Sequence, residues 1–552
     1  MPAISNAIPD KQEFSKWKSS APFWSIALVL GLIQAWANRF YMGSDGVPYL
    51  DMADAYLRRD WHTAINGSWN PLYAWLIGSD FLIFRPSAYW EYPTVQLLNF
   101  GIYAVTVASF EYFLRGWLRW RGGNEVAVRM IAYALFLWST LILIGVWTVN
   151  ADMLVAACIY GALGLMLRAY SSKTASTLQA LILSLIITIG YYGKAVMFPI
   201  GMILLLVALN VFQWKRTLIM ASIFILLSAP LIAGLSRAVG HLTFGETGRV
   251  NYAWYVNGVA KRWWQGGPAR AGQPLHPPRI TLDSPRVYDF DGAFPKATYP
   301  LWYNFAYWYQ GVRTWIDPLR IAAVTWSNLK WTMKLLLEQG GGFLLGWGTG
   351  FLLYKNKGRI FKDLAFMWPA WAVGVAAIML YCSVHIESRY IGAFGTVLLL
   401  TAFSSIDIRR KGLAVGVVVA GLLWAMMYAP EPTLGARYFP PRGKVANVSW
   451  QAATELEQLG LHANDKVASV CYSNRGNILW ARLARAHIVA ETDWAVDFWR
   501  LSDADQQRVL AALRGSGAMM AVSDETPPDP AHAVGWRRAG NTNYYAYPLS
   551  RL

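Results

Sequence analysis

The chain has 552 residues, 55% of them hydrophobic and only 15% charged, against roughly 25% charged in soluble domains. Runs of about 20 apolar residues, the length that crosses a hydrocarbon core about 30 Å thick, recur from Phe23 to Tyr428 and exclude an ordinary soluble domain. The net charge of +17, from 49 Lys+Arg against 32 Asp+Glu, sits in short loops between apolar runs, as orientation rules require, and does not form the basic stripe of a nucleic-acid binder.

Hydropathy predicts about eleven membrane spans, over residues 23–40, 95–114, 130–147, 152–167, 178–192, 195–212, 218–235, 335–353, 364–382, 391–405 and 413–428. The first is too long for a signal-peptide core and is expected to remain as a helix. Basic sets fall on alternate sides of successive spans: Lys11, Lys16, Lys18; Arg115, Arg119, Arg121; Arg168, Lys173; Lys215, Arg216; Lys355, Lys357, Arg359, Lys362; Arg409, Arg410, Lys411. This places the N-terminus in the cytoplasm. Outer loops at about 41–91 and 237–334, and everything after Tyr428, then face the periplasm or an equivalent exterior. The expected setting is a bacterial inner membrane. The cysteines Cys158, Cys382 and Cys471 have no metal or disulfide spacing.

The first outer segment, YMGSDGVPYLDMADAYLRRDWHTAINGSWNPLY, carries Asp45, Asp51, Asp54 and Asp60. Pro48 suits a helix start; Leu50, Ala53 and Leu57 then share one face, with Asp51 and Asp54 turned elsewhere. Asp45 stands at the mouth of this interfacial helix, either as its cap or as a base. A base near the outer interface suits a substrate with its tail in lipid and its head in water, such as a polyprenyl-phosphate sugar. The phosphate is a good leaving group, so such a site needs a base for the acceptor hydroxyl and cations for the phosphate. Lys194 and Arg389 are cations at otherwise cation-poor outer edges, either snorkelling or contacting phosphate. Tyr390 and His385 lie beside Arg389 and could donate to a phosphate oxygen; an interfacial role for His385 is the simpler alternative. Asp152 opens a predicted span, as a dipole-favoured carboxylate or as a group that orients hydroxyls. Glu91 and Glu111 are weaker candidates, Glu111 lying near the opposite membrane face.

The long outer loop is dense in Trp and Tyr, first of all interfacial anchors and also suited to stacking on sugar rings. Residues 318–336 are expected to lie along the surface before the next span, where Gly342, Gly346 and Gly350 form a small-residue packing face. Past Pro430 the composition changes. VASVCY, HIVAET, AMMAV and YYAYPL read as strands, and Ser502 with Asp505 opens a helix bearing Val509, Leu510 and Leu513. The division expected is a transmembrane domain over 1–430 and a small extracytoplasmic α/β domain over 431–552.

The order and common sidedness of these features resemble the GT-C superfamily of membrane glycosyltransferases, which includes protein O-mannosyltransferases, the aminoarabinose transferase and the lipopolysaccharide-core galacturonosyltransferases. The resemblance covers about residues 23–400. It rests on Asp45-Gly46 with Tyr49, NPLYAWLIG from Asn70, Lys194-Ala195 before the sixth span, Asp152 at the outer hairpin, and Arg389-Tyr390. It implies a polytopic α-helical GT-C-like fold and an inverting transfer from a polyprenyl-phosphate sugar to a hydroxyl acceptor on a glycan, lipid or protein. It assigns catalysis to Asp45 and Asp152, phosphate contact to Lys194, Arg389 and Tyr390, and substrate contact to Tyr49, Asn70 and His385. No cofactor is indicated: a divalent cation is compatible with the pattern, but Gly46 stands where the family usually has a second acidic residue. The competing readings are a transporter or flippase, or a diphosphate-dependent polymerase or ligase, for lipid-linked glycans. Span centres almost free of charge argue against transport.

Overall fold

A computed structural model describes residues 11–121, 125–172, 176–354, 357–404, 406, 411–428, 448–470, 478–493, 496–529 and 533–549. Lys173, Lys355, Arg409, Arg410, Cys471 and the composition break at 430–432 lie outside the described residues.

The chain opens with α1 (Lys11–Ala37). The acidic segment after it then folds into α2 (Gly46–Leu57), α3 (Trp61–Ala64) and α4 (Pro71–Phe84). Next come α5 (Glu91–Arg121), α6 (Glu125–Leu137), α7 (Asp152–Ser172), α8 (Thr177–Gly193), α9 (Met197–Phe212) and α10 (Trp214–Val239). A π-helical stretch, Trp138–Ile144, continues α6. The long loop between α10 and α14 holds α11 (Thr247–Tyr255), β1 (Arg279–Asp283), β2 (Arg286–Asp289), α12 (Pro300–Tyr303) and α13 (Phe305–Trp308). Then follow α14 (Pro318–Leu353), α15 (Lys357–Phe366), α16 (Trp368–Cys382), α17 (Ser388–Ser404) and α18 (Lys411–Tyr428).

Every predicted span falls largely on helix, but among the described residues length and hydropathy qualify five helices as crossing a membrane unaided, or six if the bent pair α15–α16 is one span. The others are shorter or diluted by Gly and polar residues. Two local expectations change. Apolar α4 occupies what was read as loop, and 318–336 is continuous with the next span. At 1.5 Å per residue the 36-residue α14 is about 54 Å long, well beyond one hydrocarbon thickness.

Helices meet where small residues allow. A Cβ on Gly342 would lie 2.3 Å from the Ala420 carbonyl oxygen, and one on Gly346 would lie 2.8 Å from Val417. That face of α14 therefore packs directly on α18. Glu111 ties α1, α5 and α6 together. It accepts from Ser20 (2.9 Å), Arg115 (2.7 Å), Arg129 (2.9 Å) and Tyr133 (2.7 Å).

The C-terminal region adds α19 (Val448–Gln458), β3 (Lys466–Ser469), α20 (Leu479–Leu483), β4 (His487–Thr492), α21 (Asp503–Gly515), β5 (Met520–Ser523), β6 (Arg537–Arg538) and β7 (Tyr545–Pro548). Four of these strands fall on the predicted runs. Ser502 caps α21 by accepting from the Asp505 amide, and Val509, Leu510 and Leu513 are buried beneath it. The sheet order is β1-β2-β4-β3-β5-β7-β6, with β3 parallel to β4 and β5. Strands β1 and β2 come from the long loop between α10 and α14, and β2 pairs Tyr288 with Glu491 of β4. The sheet thus combines strands that precede α14 with strands that follow α18. Alternating Ile280 and Leu282 were the period-2 signal for β1.

Candidate functional site

Four stretches far apart in sequence deliver charge to one place. Asp45 immediately precedes α2; its backbone is helical and its side chain makes no capping bond. The carboxylate instead turns outward: Oδ2 accepts from both terminal nitrogens of Arg389 at 3.1 Å, and Oδ1 accepts from the Trp302 indole at 3.3 Å. Asp152 is the first residue of α7, its amide held by the Asn150 side chain at 2.9 Å. Lys194 ends α8, its amide bonded to the Gly190 carbonyl. Arg389 and Tyr390 lie in the first turn of α17.

Lys194 Nζ meets Asp152 Oδ1 at 2.5 Å and lies 4.1 Å from the centroid of the Tyr390 ring. Arg389 Nε is 2.7 Å from Glu387 Oε2 and 3.6 Å from Asp152 Oδ2. The result is a run Asp45–Arg389–Asp152–Lys194 with Glu387 on its flank. Asp45 and Lys194 keep 24% of their side-chain surface exposed and Asp152 keeps 4%. The two outer members are therefore reachable from outside, whereas Asp152 is a buried counter-ion between two cations. Burial pulls the Lys194 ammonium below its ordinary pKa, with the Asp152 carboxylate opposing. Burial acts to raise Glu387, but the His385, Arg389 and Lys194 side chains outweigh it and hold it at about 2.

The remaining sequence candidates divide. Tyr390 stacks on Tyr381 at 4.7 Å, with its face toward Lys194. Tyr49 is buried against Trp69 and Tyr73; burial and the nearby Asp152 and Asp45 charges raise its hydroxyl pKa and keep it protonated. His385 stacks on Tyr255 at 4.1 Å and meets Glu387 at 3.2 Å, so that Glu387 and Arg389 stand between it and Asp45. Asn70 is not in the cluster: its amide donates to the Tyr191 carbonyl at 2.6 Å, tying down the end of α8 that carries Lys194. Sequence reasoning missed Glu387, although it lies between His385 and Arg389 in the stretch HIESRYIG. It also missed Trp302, which was counted among the interfacial aromatics.

The other carboxylates of the segment that carries Asp45 have structural partners. Asp60 caps α3 through the Thr63 amide. Asp51 and Asp54 turn to Arg482 of α20, at 3.0 and 2.6 Å, which also binds Glu91 at 3.0 Å. The dense acidic character of the segment thus has two causes, one at Asp45 and one at the C-terminal sheet. Among the described residues no three His, Cys, Asp or Glu side chains are grouped as metal ligands.

No family model matches the sequence, and no curated protein matches it. Solved structures do. ArnT from Cupriavidus metallidurans bound to undecaprenyl phosphate aligns with a TM-score of 0.57 at 12% identity, over 96% of this chain and 97% of that one. ArnT in the apo state gives 0.42 at 13% identity, over 96% and 98%. The Archaeoglobus fulgidus oligosaccharyltransferase in complex with Zn and sulfate gives 0.47 at 13% identity, over 93% of this chain and 69% of that one. What the first of these likenesses establishes is architecture: nearly end to end, the chain has the fold of ArnT, the GT-C fold that its sequence pattern resembles.

Proposed function

We propose that the protein is an inverting glycosyltransferase that moves a sugar from a polyprenyl-phosphate donor to a hydroxyl acceptor on the outer face of the membrane. The observation that carries this reading is the convergence of Asp45, Asp152, Lys194 and Arg389, from four separate stretches of the chain, into one largely buried charge cluster with two partly exposed ends. A fold shared with a protein solved with undecaprenyl phosphate is consistent with it.

In this reading the acceptor oxygen attacks the anomeric carbon while its proton passes to Asp45. The bond from that carbon to the phosphate oxygen breaks, its electron pair leaves with the polyprenyl phosphate, and configuration inverts. One base opposite the leaving group meets this requirement, as in inverting glycosidases. Lys194 and Arg389 neutralise the charge that grows on the departing phosphate. Asp152 touches both cations and sets the distance between them. Trp302 fixes the free oxygen of Asp45, so that positioning compensates for the weak basicity of a carboxylate.

The test is incubation of the purified protein with a panel of radiolabelled polyprenyl-phosphate sugars and analysis of the labelled product. Transfer with inversion by the wild type, absent in Asp45→Asn, is expected. Normal turnover by folded Asp45→Asn would remove the base assignment, and no transfer from any donor in the panel would remove the reading.

A further inference from the structure

We propose that Arg482, in the C-terminal region and distant in sequence from every proposed active-site residue, is a positioning residue that sets the place of Asp45 through α2. The inference rests on the functional reading above and extends it to the C-terminal sheet.

Arg482 is 4% exposed. Its Nη1 reaches Asp51 Oδ1 at 3.0 Å and Asp54 Oδ2 at 2.6 Å; its Nε and Nη2 each reach a Glu91 oxygen at 3.0 Å. One planar guanidinium therefore binds two side chains three residues apart on α2 and the first residue of α5. Lysine, with a single ammonium, cannot reproduce that fork. Thr298 closes the remaining valences of Asp51, donating from its amide and its hydroxyl at 2.8 Å each.

What this hold controls follows from helix geometry. Apolar contacts hold α2 against its neighbours, most of its residues being buried, and the directed bonds at Asp51 and Asp54 depend most steeply on its rotation about the helix axis. Asp45 lies six residues before Asp51, about 9 Å along the axis at 1.5 Å per residue. A side-chain atom about 6 Å from the axis moves roughly 2 Å when the helix turns by about 20°. The Arg389 and Trp302 contacts of Asp45, at 3.1 and 3.3 Å, would not survive such a turn. A displacement of about 1 Å at a reacting group can cost about 100-fold in rate. Lys194 and Arg389 belong to α8 and α17, so donor binding should be spared.

The experiment compares Arg482→Lys with Asp54→Asn, the latter removing only the half-buried arm of the fork in case the former does not fold. Amide hydrogen exchange, binding of a polyprenyl-phosphate sugar with its stoichiometry, and kcat are measured on each. The expected result is faster exchange over residues 45–57 with 388–404 unchanged, kcat down about 10-fold or more, and full-stoichiometry donor binding at unaltered affinity. Asp54→Asn should show the same pattern, weaker. Unchanged exchange over 45–57 in both variants would overturn the inference, as would donor stoichiometry falling in step with kcat, which is mere loss of folded protein. A wild type that transfers no sugar would instead defeat the functional reading, and the exchange data would still decide whether Arg482 holds α2.

Discussion

Replacing Lys194 by Ala separates the structural from the functional work of the cluster. Lys194 is the 2.5 Å partner of Asp152, whose side chain is 4% exposed. Removing one partner of a fully buried pair costs about 3–5 kcal/mol. Here Arg389 remains 3.6 Å from the other Asp152 oxygen and Lys194 is 24% exposed, so the expected loss is smaller, about 1–3 kcal/mol. Neutralising the stranded carboxylate as well, in Lys194→Ala/Asp152→Asn, should recover most of that loss. Donor affinity should behave differently. A charge-assisted bond to phosphate contributes about 1.5–3 kcal/mol, so the single variant should bind donor about 10- to 100-fold more weakly, and the double variant should not regain it. The assay is thermal unfolding in detergent beside equilibrium binding of a polyprenyl-phosphate sugar, read as a double-mutant cycle. Unchanged donor affinity in Lys194→Ala, or affinity restored together with stability in the double variant, would refute the assignment of Lys194 to the phosphate.

Asp45→Asn keeps the acceptor oxygen for Trp302 and leaves Arg389 its Glu387 partner, so it should insert and fold while turnover falls about 10²- to 10⁴-fold, measured as single-turnover transfer. Glu387 is held at about 2 against an ordinary 4.5; a depressed carboxylate contributes stability above its unfolded pKa and loses it as pH falls. Wild type should therefore exceed Glu387→Gln in melting temperature at neutral pH, with the gap closing between pH 4.5 and 2. Gly342→Leu should disrupt the contact of α14 with α18, where even a Cβ would approach backbone to 2.3 Å, and lower thermal stability by about 1–3 kcal/mol. A protease-accessibility map should find the C-terminal sheet on the side opposite the N-terminus; a cytoplasmic tail would overturn the orientation.

Local chemistry alone determined much of this protein. Apolar runs marked the helices because hydropathy and the 3.6-residue period are written into consecutive residues. The alternating runs of β3, β4, β5 and β7 were legible for the same reason, as were the cap at Ser502 and the glycine face of α14. Lys194 and Arg389 stood out because a cation at a cation-poor edge is a local anomaly. Partnership is not local. Nothing near Asp45 announces Arg389, 344 positions away, and nothing near Asp51 announces Arg482, 431 positions away. The capping reading of Asp45 was reasonable from spacing and is replaced by those contacts, because a carboxylate takes the nearest fixed cation in preference to a backbone amide. Strands β1 and β2 were hidden in an aromatic loop because the partner that makes them strands, β4, lies some two hundred residues further on. The sequence supplied the charges and the surfaces; tertiary packing chose which charges meet, since burying one is tolerable only where another answers it.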